Sequence, residues 1–329
     1  MKDILTQLFE HQPLDYRQSK NALIDIGEGK FNSSQIAAFL SAFQMRSITV
    51  DELSGFREAL LELSLPINLS EFDPIDLSGT GGDRKNTFNI STLASFVVAG
   101  AGIKVAKHGN YGVSSSCGSS NIMEHFGYKF THNESELKSQ IDQSGICYLH
   151  APLFHPAMKY VAPIRRELGI KTFFNMLGPM VNPCRPKKQV VGVYSLELAR
   201  LYNYLFQQSD HSYFIIHSLD GYDEVSLTAD FKLISPEKEQ ILSPENIGLN
   251  TVLPYEIHGG NSIAETAQIV EDVLKNTATE AQIKVVAANA AFAIQCSKPA
   301  LSYDDSFQLA IQSIESGSAL HSFKTLIQS

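Results

Sequence analysis

The sequence predicts an α/β protein with two parts, a small all-helical N-terminal domain over residues 1–70 and an α/β domain over residues 71–329. Three observations support this fold class. The first 65 residues show only helical periodicity, short apolar runs alternate with helical segments from about Asp73, and helices return from Ser262 onward. Strand–helix alternation is typical of a mostly parallel central sheet flanked by helices.

Two amphipathic helices are predicted in the N-terminal part. The stretch "SSQIAAFLSAFQMRS" has Ser33 or Ser34 as its candidate cap, and its apolar face is formed by Ile36, Phe39, Leu40 and Phe43. The stretch "TVDELSGFREALLELS" has Thr49 as its cap, and its apolar face is formed by Leu53, Phe56, Leu60 and Leu61. Pro66 ends the second helix, because proline cannot continue a helical hydrogen-bond ladder.

The α/β part is predicted from its alternation. Strands are expected at 75–79, 103–109, 146–151, 189–195 and 212–218, and helices at 91–102, 119–127, 134–145 and 196–208. Glycines at 79–82, 109–112 and 118 come after these strands. We therefore expect them on one edge of the sheet, where parallel α/β proteins bind their ligands.

Composition narrows the functional class. The chain has 329 residues, a formal net charge of −9 and a pI near 5.6, which disfavours nucleic acid as a partner. No apolar run is long enough to cross a membrane, and no secretory leader pattern is present, so the cytoplasm is the expected location. The four cysteines lack metal-finger spacing, and we expect free thiols rather than disulfides.

The stretch "DLSGTGGDRKNTFNIST" predicts a phosphate site. Its glycine turn follows a strand, and glycine lets backbone N–H groups approach a bulky anion. The turn matches neither the dinucleotide fingerprint nor the P-loop, which disfavours both ligand classes. Asn89, Ser91 and Thr92 supply side-chain oxygens where the next helix begins, either as caps or as ligands of a metal-bound phosphate.

Three further stretches carry chemistry. The loop "AKHGNYGVSSSCGSS" combines Lys107 with glycines and serines, which suits an anion nest or, without a ligand, a solvated loop. In the block 149–183, Arg165 and Arg166 precede Glu167, so one arginine should pair locally while the other is free to bind a carboxylate. The adjacent acids Asp223 and Glu224 suit Mg²⁺ or a solvated surface.

Taken in order, these stretches resemble one family. "GTGGD", "NIST", "KHGN…SS..GSS", "FHPAMK.VAPIRRELGI.T.FN.LGP..NP" and "DEVS" occur as in the anthranilate phosphoribosyltransferases. The resemblance implies transfer of the phosphoribosyl group of phosphoribosyl diphosphate to anthranilate in tryptophan biosynthesis. It also implies a nucleoside phosphorylase/phosphoribosyltransferase-like fold, a second helical segment near 165–185 that joins the helical domain, and a homodimer.

The resemblance also implies roles for individual residues. The donor phosphoribosyl diphosphate would be bound by Gly79, Gly82, Asp83, Thr87, Asn89, Ile90, Ser91, Thr92, Lys107, His108, Gly109, Asn110, Ser114, Ser115 and Ser119. Anthranilate would be bound by Gly79, His108, Asn110, Ala151, His155, Arg165 and Gly178. Mg²⁺ would be held by Ser91, Asp223 and Glu224. No nucleophile is expected, because an uncharged aromatic amine needs only positioning and a stabilised leaving group, with Lys107 and Ser91 in that role.

The chain departs from many relatives at Tyr111, Ser116 and Asn121, where arginine, lysine and aspartate are common, so the loop has less positive charge near the donor. Two other readings are weaker. A pyrimidine nucleoside phosphorylase would have a "KHSTGG" loop, whereas this chain reads "LSGTGGD". A non-catalytic relative that binds nucleic acid should be basic and should lack Asn110 and Arg165, whereas this chain is acidic and keeps both.

Overall fold

The computed structural model describes residues 1–112 and 117–329 and contains both predicted classes of element. The α-helices are α1 (Lys2–Phe9), α2 (Tyr16–Gly27), α3 (Ser33–Ala42), α4 (Val50–Glu62), α5 (Ile90–Gly100), α6 (Ser119–His125), α7 (Glu134–Ser144), α8 (Ala151–Phe154), α9 (Ala162–Leu168), α10 (Phe174–Leu177), α11 (Leu196–Phe206), α12 (Ile263–Leu274), α13 (Glu280–Ser297), α14 (Tyr303–Glu315) and α15 (Ser318–Ile327). Short 3₁₀ turns are formed by Ser70–Phe72, Pro156–Tyr160, Gly178–Met180, Pro244–Ile247 and Pro254–Ile257.

The strands form one sheet. They are β1 (Ile75–Gly79), β2 (Val105–Gly109), β3 (Ile146–His150), β4 (Lys188–Gly192), β5 (Ser212–Ser218), β6 (Phe231–Ile234) and β7 (Glu239–Leu242). The spatial order is β3-β2-β1-β4-β5-β6-β7; the pairs from β3 to β5 are parallel, and β6 and β7 add antiparallel pairs. The predicted strands are confirmed, whereas β6 and β7 were not predicted.

The chain divides into two compact units. One comprises 1–67 and 151–185 and is helical; the other comprises 68–150 and 186–329 and contains the sheet. Within the described residues, none of the helices has the length and apolar character that a bilayer crossing requires.

The helical unit packs around aromatic side chains. Phe56 stacks on Phe173 with ring centroids 4.4 Å apart, and Phe39 and Phe43 meet these rings edge-on. Such pairs add to the free energy already gained by burying the rings. The predicted apolar faces of both helices are therefore the ones that are buried.

Helix caps were predicted with mixed success. The Thr49 side chain accepts a hydrogen bond of 3.2 Å from the backbone N–H of Glu52, so this cap is confirmed. The prediction of Ser33 or Ser34 is wrong, because Asn32 caps α3 by accepting a 2.9 Å hydrogen bond from the Gln35 N–H. Asparagine is as good a cap as serine, and it lies one residue earlier.

The core of the α/β unit lies between the sheet and α5, α13 and their neighbours. Helix α5 is apolar on nearly every face, with Leu93, Phe96 and Val97 fully buried, and α13 is equally buried along "VVAANAAFAI". A helix that is hydrophobic all round belongs in a core. Helix α5 therefore packs against β1, and α13 packs against β1 and β4.

The glycines lie partly where they were predicted. Gly79 ends β1 and Gly109 ends the neighbouring parallel strand β2, so both lie at the carboxyl edge of the sheet. Gly118 does not directly follow a strand; it is the N-cap of α6. The part of the prediction that placed Gly118 after a strand is wrong.

Candidate active site

The glycine turn joins the carboxyl ends of two neighbouring strands. Gly79 is the register partner of Gly192 in β4, and the backbone N–H of Thr80 donates to the Gly192 carbonyl at 2.9 Å. Gly81 and Gly82 have φ of +62° and +80°, a region that suits glycine. The turn therefore reverses direction at the sheet edge and leaves its backbone N–H groups available to a neighbour.

That neighbour is the acidic pair. Asp223 Oδ2 accepts a hydrogen bond of 2.7 Å from the Gly81 N–H. A Cβ on Gly79 would lie 2.5 Å from Asp223 Oδ2, and a Cβ on Gly192 would overlap the Asp223 carbonyl oxygen. The pair can approach the sheet edge only because both strands end in glycine.

Glu224 is tied to the start of α5. Its Oε1 accepts a hydrogen bond of 3.1 Å from the backbone N–H of Ser91, in the first turn of that helix. Anionic groups are stabilised at a helix N-terminus. Ser91, Asp223 and Glu224, which the family resemblance grouped, thus lie together in the structure.

Burial changes the chemistry of these acids. Burial, with repulsion from Asp83, raises the pKa of Asp223 to about 7. Burial, with repulsion from Asp223 and Asp83, raises the pKa of Glu224 well above its ordinary value, and burial raises that of Asp83 as well. Buried acids that repel one another favour a bound cation.

The oxygen ligands at this site suit a metal ion that also keeps water or phosphate ligands. No group of three or more His, Cys, Asp or Glu side chains within residues 1–112 and 117–329 is arranged to hold a metal ion. A cavity of about 20 Å³, lined by Ser91, Asp223 and Glu224 among others, adjoins the pair and can hold about one water molecule. Mg²⁺ is usually bound by one or two carboxylates together with waters and substrate phosphates.

Polar oxygens without partners surround the same turn. Thr80 Oγ1, Asn89 Oδ1 and Thr92 Oγ1 are buried and have no hydrogen-bond partner among the described residues. Asn89 does not cap α5 with its side chain; its Nδ2 instead donates to the Cys117 carbonyl at 3.1 Å. Buried polar atoms are nearly always hydrogen-bonded, so these three indicate a place for a polar ligand.

The other residues near the glycine turn that were predicted to bind phosphoribosyl diphosphate lie close to the turn in the sequence. Asp83 Oδ1 accepts a 3.0 Å hydrogen bond from the Lys85 N–H, Thr87 forms an isolated bridge with His258, and Ile90 is fully buried at the start of α5. Gly82 belongs to the turn itself. These residues shape the backbone around the turn and the helix start.

Lys107 lies in β2, inside the strand that was predicted at 103–109. Its ammonium is buried and donates to the Leu77 carbonyl of β1 at 2.7 Å. Burial lowers the pKa of Lys107 to about 8, although the charges of Asp76 and Glu224 oppose that shift. Lys107 thus brings positive charge within electrostatic range of Glu224.

The loop after β2 is described at its two ends. His108 is buried in β2, Gly109 ends the strand, and Asn110 accepts hydrogen bonds on its carbonyl from Ser120 N–H at 3.0 Å and from Ser119 Oγ at 3.3 Å. Ser114 and Ser115, predicted to contact the donor, lie outside the described residues, as does Ser116.

Two of the departures from the family pattern lie at the ends of this loop. Asn121 Oδ1 accepts hydrogen bonds of 3.0 Å from both the Gly112 and Gly118 N–H groups, and the Tyr111 ring meets His150 edge-on. The side chains that replace charged residues here therefore make local structural contacts.

Arg165 is the half-buried arginine of α9. Its Nη2 donates to Asn175 Oδ1 at 3.1 Å, its guanidinium lies 5.3 Å from the Phe174 ring centroid, and its Nε is buried without a partner among the described residues. Burial lowers its pKa. The predicted local pair with Glu167 is wrong, since neither Arg165 nor Arg166 forms an ion pair within the described chain.

Three more predicted anthranilate residues belong to the same unit as Arg165. Ala151 begins α8, and Gly178 follows α10. Burial lowers the pKa of His155 to about 4, so its ring is neutral at physiological pH. Gly79, His108 and Asn110 belong to the other unit.

The sequence did not reveal two residues that contribute to the site, Thr80 and Asn289. Thr80 was seen only as part of the glycine turn, although its hydroxyl is one of the buried oxygens without a partner. Asn289 holds the chain after the acidic pair, because its side chain exchanges hydrogen bonds of 3.0 and 2.9 Å with the Val225 backbone. The signal was a single asparagine in the otherwise apolar run "VVAANAAFAI".

Comparison with known families covers nearly the whole chain. Residues 71–320 match the model of the glycosyl transferase family, a/b domain, and residues 2–64 match the glycosyl transferase family, helical bundle domain. The predicted fold class is confirmed by both matches and by the sheet described above.

Similar curated proteins carry one name. An anthranilate phosphoribosyltransferase of Flavobacterium psychrophilum is 57% identical over 328 residues, which are 100% of this chain and 99% of that protein. That of Cytophaga hutchinsonii is 54% identical over 328 residues and 100% of both chains.

Two solved structures with a similar fold carry the same name. The anthranilate phosphoribosyltransferase of Thermus thermophilus matches with a TM-score of 0.91 and 28% identity over 98% of both chains. That of Saccharomyces cerevisiae, solved in complex with PRPP and Mg, matches with a TM-score of 0.89 and 27% identity over 98% of this chain and 96% of that one. The resemblance in the sequence motifs is thus confirmed, and the chain belongs to the anthranilate phosphoribosyltransferase family.

Proposed function

We propose that this chain transfers the 5-phosphoribosyl group of phosphoribosyl diphosphate to the amine of anthranilate and releases diphosphate. Family membership supports the reaction, and one structural observation carries it. A buried acidic pair lies against a glycine turn and a helix start whose side-chain oxygens lack partners among the described residues. Such a site offers hydrogen-bonding groups to phosphate oxygens, and its buried acids favour a bound cation. A metal-bound diphosphate would satisfy both.

Around the donor, the backbone N–H groups of the turn and the Asn89–Thr92 segment bind phosphate and ribose oxygens. Lys107 supplies a positive charge behind them. Asp223, Glu224 and Ser91 would hold Mg²⁺, which when bound supplies charge that stabilises the departing diphosphate. The yeast relative was solved in complex with PRPP and Mg, which supports the use of Mg²⁺ with this donor. Among the residues proposed to bind phosphoribosyl diphosphate, Ser114 and Ser115 are supported by the family resemblance alone.

For the acceptor, Arg165 orients the anthranilate carboxylate through its guanidinium, whereas the role of Asn110 in anthranilate binding is supported by the family resemblance. The neutral ring of His155, together with Ala151 and Gly178, contributes uncharged lining suited to an aromatic ring. An arginine without a carboxylate partner of its own is well suited to this role.

The chemical step needs no covalent intermediate with the protein. The amine nitrogen forms a bond to C1 of the ribose while the bond from C1 to diphosphate oxygen breaks, through an oxocarbenium-like state. The surplus amine proton passes to diphosphate or water. The protein contributes position and charge, since the acceptor nitrogen is already uncharged at neutral pH.

A fluorescence time course tests the reaction. Anthranilate and phosphoribosyl diphosphate are mixed with the protein with and without Mg²⁺, and diphosphate release is followed in parallel. We expect loss of anthranilate fluorescence that depends on Mg²⁺ and matches diphosphate mole for mole. A folded protein that gives neither signal would overturn the proposal.

A homodimer and a cytoplasmic location stay predictions. Light scattering at micromolar concentration tests the oligomeric state, and a monomer mass would contradict the dimer.

A further inference from the structure

Two side chains at the carboxyl end of β3 contact the first turn of α6. Tyr148 and Ser119 are joined by a hydrogen bond of 2.7 Å between their hydroxyls, Tyr148 and Ser120 by one of 3.0 Å, and His150 Nδ1 and Ser120 Oγ by one of 2.9 Å. Tyr148 and Ser120 are fully buried and His150 is 5% exposed. Strand β3 thus contacts the helix through hydroxyl and imidazole groups shielded from water.

The contact reaches one residue further, to Asn110. Ser119 Oγ lies 3.3 Å from the Asn110 carbonyl oxygen. The backbone N–H of Ser120 donates to the same oxygen at 3.0 Å. Asn110 directly follows β2, in which Gly109 is the register partner of His150. The residue that leaves β2 is therefore held by α6, and α6 is held by β3.

Proton counting assigns a direction to these bonds. A carbonyl oxygen only accepts, so Ser119 donates to Asn110 and its oxygen must accept from Tyr148. The single Tyr148 proton is then used, so Ser120 donates to the Tyr148 oxygen. The Ser120 proton is used in turn, which leaves His150 Nδ1–H as the donor to Ser120. Each hydroxyl in this chain of four hydrogen bonds donates once and accepts once.

The surroundings favour this arrangement. The His150 ring stacks on Phe130 with centroids 4.0 Å apart and meets Tyr111 edge-on at 5.1 Å. Burial lowers the pKa of His150 to about 4, so the ring is neutral and exists as one of two tautomers at physiological pH. A Cβ on Gly109 would overlap the Tyr148 hydroxyl, so the bond to Ser119 requires glycine at that position.

We propose that Tyr148 and His150 are positioning residues for substrate binding, acting through Ser119 and Asn110 by a directed hydrogen-bond chain that begins at His150 Nδ1–H. The inference rests on the proposed function, which places Ser119 at the donor and Asn110 at anthranilate. Neither Tyr148 nor His150 needs to contact a substrate. Bonds in such a chain polarise and strengthen one another, so a break at Tyr148 weakens the hold on Asn110 as well.

Tyr148→Phe tests the chain at its middle, because it removes one hydroxyl and keeps the ring. We expect the KM for phosphoribosyl diphosphate and the KM for anthranilate each to rise roughly 3- to 10-fold, the effect of one net hydrogen bond, with a smaller change in kcat. In a Ser119→Ala background the same substitution should change the donor KM by less than about 2-fold. Unchanged KM values in an active, folded Tyr148→Phe variant would overturn the proposal.

Tyr128→Phe is the matched control. Tyr128 lies in the same aromatic cluster, and its buried hydroxyl donates to Gln140 at 2.8 Å, away from Ser119 and Ser120. It should lower Tm about as much as Tyr148→Phe and leave both KM values unchanged. If both variants raise KM equally, the effect is one of general packing and the proposal fails.

A spectroscopic readout is independent of catalysis. Nitrogen-15 NMR of the histidine rings, with His150 assigned by His150→Phe, should show His150 protonated at Nδ1 at pH 7. Protonation at Nε2 alone would make Ser120 donate to His150 instead of to Tyr148. That would interrupt the chain between Ser120 and Tyr148 and refute the proposal, even if Tyr148→Phe failed to fold and gave no kinetics. Wild-type protein without turnover would contradict the proposed function, while the NMR result would still decide the hydrogen-bond chain.

Discussion

Asp223 accepts a 2.7 Å hydrogen bond from the backbone N–H of Gly81, a residue 142 positions earlier in the chain. Glu224 is held in the same way by the N–H of Ser91. The fold thereby concentrates buried negative charge at a sheet edge that also offers N–H donors. An acidic pair kept there without a cation costs stability, because burial and mutual repulsion disfavour both charges.

The double substitution Asp223→Asn and Glu224→Gln should separate activity from stability. Turnover should fall at least about 100-fold, since a bound metal ion contributes several kcal/mol of charge stabilisation. Without Mg²⁺, Tm should equal or exceed that of wild type, because two buried charges are gone. Mg²⁺ with phosphoribosyl diphosphate should raise the Tm of wild type only. Retained Mg²⁺-dependent turnover would remove the pair from the metal site.

Gly192→Ala should displace the acidic segment, since its Cβ would overlap the Asp223 carbonyl. We expect a loss of about 1–3 kcal/mol in unfolding free energy, typical of overpacking, together with a weaker response to Mg²⁺. Gly127→Ala is the control: its φ of +85° makes alanine costly, but no atom lies within 4 Å of its Cβ in the described structure. It should lower Tm and leave the Mg²⁺ dependence unchanged. Equal Mg²⁺ dependence in both variants would count against the glycine requirement.

Arg165→Ala should act on anthranilate. A lost charged hydrogen bond costs about 1.5–3 kcal/mol, so the KM for anthranilate should rise roughly 10- to 150-fold while the KM for the donor changes little. Arg166→Ala, one residue along α9 and exposed, should leave both KM values unchanged. Steady-state kinetics with each substrate varied decides the matter, and an unaltered anthranilate KM would remove Arg165 from that role.

The Arg46–Glu52 pair should make stability depend on pH. Glu52 is fully buried and accepts hydrogen bonds from Arg46 and from the backbone N–H groups of Leu14 and Thr49. Burial alone would raise its pKa, but these hydrogen bonds hold the pKa below its ordinary value. Because the folded pKa is lowered, the stabilisation is complete above the ordinary value of 4.5 and is lost as pH falls through the folded pKa.

Arg46→Leu should therefore cost about 3–5 kcal/mol at pH 7, since it leaves a buried carboxylate unpaired. The difference from wild type should shrink as pH falls toward the lowered pKa of Glu52 in the wild-type protein, below which the carboxyl is protonated in both proteins. Urea unfolding between pH 3 and 8 provides the measurement. Lys284→Met, which breaks the exposed pair with Glu280 on α13, should have no measurable effect at any pH. A pH-independent difference at Arg46 would contradict the linkage.

Local periodicity was sufficient for most of the secondary structure. The five parallel strands and helices α5, α6, α7 and α11 were predicted because their apolar patterns can be read within each segment. Strands β6 and β7 were missed because they are short, and β7 alternates exposed with half-buried residues at the sheet edge. Edge strands of this kind depend on a pairing partner more than on their own composition.

For the candidate site, too, one part could be predicted from the sequence and another could not. The glycine turn, the helix start and the acidic pair could be identified as chemically active from residue types and from the family resemblance. Their mutual contacts could not, because a hydrogen bond between Asp223 and Gly81 depends on which strands are neighbours. The same holds for Tyr148, which in the sequence is one aromatic residue of an apolar strand.

By itself, then, the sequence determined the class of fold, the order of its elements and the family of the reaction, since these depend on periodicity and on short ordered motifs. Only the tertiary structure decided that Asp223 and Glu224 are buried against the turn, that the Lys107 ammonium is buried and donates to the Leu77 carbonyl, and that His150 connects through Tyr148 to Asn110. These contacts depend on the order of the strands in the sheet and on the exclusion of water. Without water, the pKa of an ionisable side chain rises or falls, and each buried proton must have a hydrogen-bond acceptor.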